Sequence, residues 1–141
     1  MDNTLNEFAR SITLITDVVK DIRQIEEQKA TSASEGHHDK MSGLIQQEQA
    51  ILLKLRGLEQ NRLHQVEALG WKDLTFREIL SAVSVEQKEL LLPLFTELDR
   101  ELGVLMDAKD SADRIITLRL TEFQKALSEH GQTNQLFERK A

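Results

Sequence analysis

The sequence predicts an all-α protein, an elongated antiparallel bundle of three long helices with a short corner helix before the last. Three observations predict it. Hydrophobic residues make up 40% of the chain but aromatics only 4%, so the apolar content is mostly Leu, Ile, Val and Ala, the filling of helix interfaces rather than sheets. One Pro and six Gly leave few breakers in 141 residues, whereas an all-β chain needs a turn signal about every ten residues. Finally, apolar residues recur at alternating steps of three and four, the seam of a helix packed on a helix.

The first seam runs Leu5, Phe8, Ile12, Ile15, Val19, Ile22 and predicts a helix to roughly Gln28. Leu14, Val18 and Ile25 widen that stripe, so this helix is expected to face two neighbours. Between Thr31 and Gly43 the pattern stops, and Ser32, Ser34, Gly36, Ser42 and Gly43 predict the first connection. A second helix carries Leu44, Ile45, Ile51, Leu52, Leu55, Leu58, Leu63, Val66 and Leu69, with Gly70 as its left-handed cap. After a short connection at Trp71 to Leu74, Thr75-Phe76-Arg77-Glu78 has capping-box spacing and predicts a short helix bearing Phe76, Ile79, Leu80 and Val83. Ser84-Val85-Glu86-Gln87 repeats the pattern, so the two caps define a helical corner and open the last helix.

That last helix carries Leu91, Leu94, Leu98, Leu102, Leu105, Ala112, Ile116, Leu120, Phe123 and Leu127 on one face, on the order of 60 Å of helix. Pro93 conflicts with it, because an interior Pro removes a backbone bond and costs about 3 kcal/mol, so a kink or restart is expected near Leu92. Residues 1–128 are therefore expected to form one helical bundle domain and 129–141 a flexible C-terminal tail.

The net charge of −6 and the lack of a Lys/Arg cluster argue against a nucleic-acid surface. The longest apolar run, around Leu90 to Phe95, is far below membrane-spanning length, so no membrane insertion is expected. No cysteine is present, which suits a reducing compartment, and the expected location is cytoplasmic.

Signals for chemistry are sparse. Glu35-Gly36-His37-His38 has the Glu-x-x-His spacing of carboxylate-bridged metal sites, but those need two such motifs and the chain has one, in its least helical stretch. His64 and His130 stand among polar neighbours and read as surface residues. Phosphate-binding loops, dinucleotide fingerprints and zinc-protease motifs are missing, so an enzyme is not expected, nor is any cofactor or metal. Trp71 reads as a plug over the bundle end rather than an exposed anchor, and charged runs such as Glu26-Glu27 and Asp107 to Asp113 as solvated helix faces.

From Glu48 to Arg62 the chain reads Glu-Gln-Ala-Ile-Leu-Leu-Lys-Leu-Arg-Gly-Leu-Glu-Gln-Asn-Arg, spaced leucines followed by Leu-Glu-x-x-Arg. Ala68-Leu69-Gly70 and then Leu74-Thr75-Phe76-Arg77-Glu78-Ile79-Leu80 follow. Over roughly Ser11 to Leu127 this resembles the FlgN family of flagellar export chaperones, whose second-helix pattern and corner helix these segments match. It departs from the family at Asp107 to Asp113, where relatives often carry Asn, and in having no Tyr in the tail.

The resemblance implies a cytoplasmic type III export chaperone that binds hook-filament junction proteins, which are flagellar axial proteins, and keeps them soluble before secretion. It also implies a tail contact with the flagellar export gate, for which Phe137 is either a substitute for the family's Tyr or a coincidence. The substrate-protein site is expected on the exposed end of the last helix, at Ile116, Leu120, Phe123 and Leu127, with the tail pair Leu136 and Phe137. The alternatives are a structural adaptor or scaffold bundle without an unfolded client, and a carboxylate-bridged metal enzyme.

Overall fold

The computed structural model describes residues 3–108, apart from the side chains of Ala33, Ser34, His38, Asp107 and Ala108. Four helices follow in order: α1 (Thr4–Glu35), α2 (His38–Ala68), the short α3 (Phe76–Ala82) and α4 (Val85–Ala108). The described residues contain no strand. Three long helices with a short corner before the last is the architecture that the seams predict.

Pairings across the helices fix their directions. Ser11 donates to Gln65 at 2.7 Å, and Lys29 donates to Glu48 at 2.9 Å, so α1 and α2 run antiparallel. Lys20 meets Glu97 at 3.2 Å and Arg23 meets Glu101 at 3.5 Å, so α4 runs parallel to α1. The long helices therefore alternate up, down and up. α1 is the shared wall: both α2 and α4 pack on it, while no Cα of α2 comes within 8 Å of one in α4.

This central position explains the width of the α1 stripe. Phe8, Ile12, Ile15, Val19 and Ile22 are fully buried, and Val18 and Ile25 extend the buried arc toward α2. A one-neighbour helix hides about a third of its circumference, whereas α1 hides more than half. The opposite seam is supplied by Leu91, Phe95, Leu98, Leu102 and Leu105 of α4, all fully buried. Each such side chain contributes about 1.5–3 kcal/mol by leaving water.

The corner is built as its caps require. Gly70 has φ of 79°, its N–H donates to the carbonyl of Glu67 at 3.1 Å, and that of Trp71 donates to Val66 at 2.9 Å. This is the left-handed Schellman end, which only glycine enters without a Cβ penalty. Glu78 N–H donates to Thr75 Oγ1 at 3.1 Å and Thr75 N–H donates to Glu78 Oε1 at 2.9 Å, the reciprocal capping box. Ser84 and Gln87 repeat it with two 3.1 Å bonds.

Three expectations are corrected. The first connection is not Thr31 to Gly43 but only Gly36 and His37, and α1 runs past Gln28 to Glu35. Ser32 is buried against α2, so packing outweighs the weak helix propensity of that stretch. The link is again a left-handed cap, with Gly36 at φ 73° and His37 N–H donating to Ser32 at 2.9 Å. Second, α4 does not restart at Leu92 but continues through Pro93. Pro93 and Glu89 are exposed, so water can serve the carbonyl that loses its donor. Third, Glu26 is not on a solvated face but 6% exposed, although Glu27 is exposed as expected.

Candidate functional site

All six residues expected to bind a substrate protein, Ile116, Leu120, Phe123, Leu127, Leu136 and Phe137, lie outside the described residues, as do His130 and the 129–141 tail. The described part holds three features that bear on function: the corner, the charged interior at the opposite end, and the outer surface of α2.

At the corner, Phe8 meets Trp71 edge-on at 5.6 Å and Phe95 edge-on at 6.1 Å, while Phe76 stacks on Phe95 at 4.0 Å. Four of the chain's six Phe and Trp residues thus sit in one cluster that ties α1, α3 and α4 together. Trp71 is half-buried in it, a plug over the bundle end as its place in the sequence suggests. The Leu-Glu-x-x-Arg segment lies one to three turns before this corner. Arg62 is fully buried, and its Nε and Nη2 both donate to the Glu59 carboxylate, a bidentate pair within one helix turn.

The interior changes character toward the Gly36 link. Glu26, Lys29, Ser32 and Glu48 are buried there, with Lys29 Nζ 2.9 Å from Glu48 and 3.8 Å from Glu26. On the other flank of α1 the buried carboxylate of Glu101 faces Arg23 at 3.5 Å and Arg100 at 3.1 Å. Arg100 also binds Glu97 at 2.7 Å, and with Lys20 it holds the Glu97 carboxyl below its ordinary value, while Glu97 raises the Arg100 guanidinium. Beside this region lies an open groove of about 600 Å³ between the end of α1 and the start of α2, lined by Glu27, Thr31, Ser32, Lys40, Leu44 and Gln47 among others.

Among the described residues no three His, Cys, Asp or Glu side chains converge as a metal site would require. Glu35 and His37 pair at 3.2 Å on the exposed link, where Glu35 closes α1 and His38 opens α2. His64 is exposed on α2.

The third feature is apolar side chains left in water on α2. Ile45, Leu53 and Leu63 are 38%, 67% and 48% exposed. Ile45 and Leu63 belong to the nine apolar positions that the sequence places along this helix, too many for one stripe, and Leu53 adds a tenth: Leu52, Leu55 and Val66 face α1, and the others spread to both sides. That angular excess was the signal for a second surface. The signal for the buried charges was the spacing of Glu26 and Lys29 beside a seam, which reads the same as a solvated pair until a partner helix brings Glu48 to it.

The class defined is an all-helical up-down-up bundle with a capped corner, in which no helix among the described residues is long and apolar enough to cross a membrane. No family model matches the chain, and neither does any curated protein or solved structure.

Proposed function

We infer that the chain is a cytoplasmic type III export chaperone for hook-filament junction proteins, the function implied by its resemblance to the FlgN family. One observation carries the reading: the segments that carry the resemblance work as a unit in the fold. The Leu-Glu-x-x-Arg motif forms the Glu59–Arg62 pair, Gly70 ends the helix, and Thr75 to Leu80 makes the capped corner whose Phe76 stacks on α4. These residues build a scaffold, and the client is left to the aliphatic stripe of the sequence beyond Ala108.

The proposed client site is the stripe Ile116, Leu120, Phe123 and Leu127, with Leu136 and Phe137 beyond it. α1 extends past Arg23, which pairs with Glu101, only as far as Glu35. Little α1 surface is therefore on offer to the chain after Ala108. An amphipathic segment of a junction protein, unfolded before assembly, can add a helix there and hide its apolar face. Ordering that segment offsets roughly 2–5 kcal/mol of the gross interaction, which leaves affinity moderate and release possible without ATP.

Calorimetry with the full chain and a junction-protein terminus tests this. Binding is expected, with a loss of about tenfold or more on Phe123→Asp and on deletion of residues 128–141. Unchanged affinity in both variants would remove the C-terminal site. An obligate dimer that ignores such termini would instead make the protein a scaffold.

A further inference from the structure

We draw no further inference here: the strongest candidate, the outward face of α2 around the exposed Leu53, is an unpartnered helix face, and nothing in the structure shows what covers it.

Discussion

The two ends of the bundle are held together by different physics. Around the corner, Phe8, Phe76 and Phe95 are fully buried, Trp71 closes over them, and two capping boxes and a Schellman end fix the chain path. Toward the Gly36 link the same α1 surface buries Glu26, Lys29 and Ser32 against Glu48. Burial of these rings is driven by the non-directional hydrophobic effect, and the close packing around them tolerates little loss of volume. Buried ions are directional, and much of their mutual attraction is offset by the cost of taking them out of water. The comparison teaches that stability is concentrated at the corner, while the link end specifies register more than it adds free energy.

The strongest way to break this comparison is Phe95→Ala, which removes the ring shared by Phe8 and Phe76. A loss of roughly 3–5 kcal/mol is expected in urea denaturation. A loss below about 1 kcal/mol would mean that the corner is not where stability resides. At the other end, Lys29→Met alone should cost about 3 kcal/mol, because it leaves Glu26 and Glu48 in the interior without the ammonium between them. Adding Glu48→Leu and Glu26→Gln should recover most of it, which the same denaturation series would show. Failure to recover would make the ionic layer a net stabiliser and erase the contrast.

The smallest effect concerns the α1–α4 edge. Arg100, then Lys20, depress the Glu97 carboxyl below its ordinary 4.5, so its stabilisation is present above that pH and lost as pH falls through the lower folded value. Glu97 is more than a third exposed, so screening limits the term to under about 0.5 kcal/mol. Glu97→Gln should leave thermal stability near pH 3 unchanged and lower it slightly near pH 7. A difference at pH 3 equal to that at pH 7 would refute the assignment.

Much of this architecture was legible in the residues. The α1 seam, the Gly70 cap and both capping boxes are local signals, each set by one turn of chain, and they stand where the sequence puts them. The Gly36 link was misread because Ser and Gly weaken a helix only slightly, and burial of Ser32 against α2 reverses the balance. The buried charges were illegible for a different reason. Lys29 and Glu48 become partners only once the link fixes how α2 lies on α1, information that neither helix carries alone. The α2 flank was half legible: Ile45 and Leu63 stand in the second-helix pattern and Leu53 does not, and which of the three stay wet depends on how α2 lies on α1.

The brevity of the turn at Gly36 and His37 also sets an order of events for a refolding chain. The first two helices can meet by closing a loop of two residues, whereas the Lys20–Glu97 and Arg23–Glu101 contacts join positions that lie most of the molecule apart. The hairpin is thus the earliest piece that can form, and half of its inner helix stays bare until the last one arrives. In that interval the isoleucine- and valine-rich wall is open to any passing amphipathic segment, its own or a stranger's.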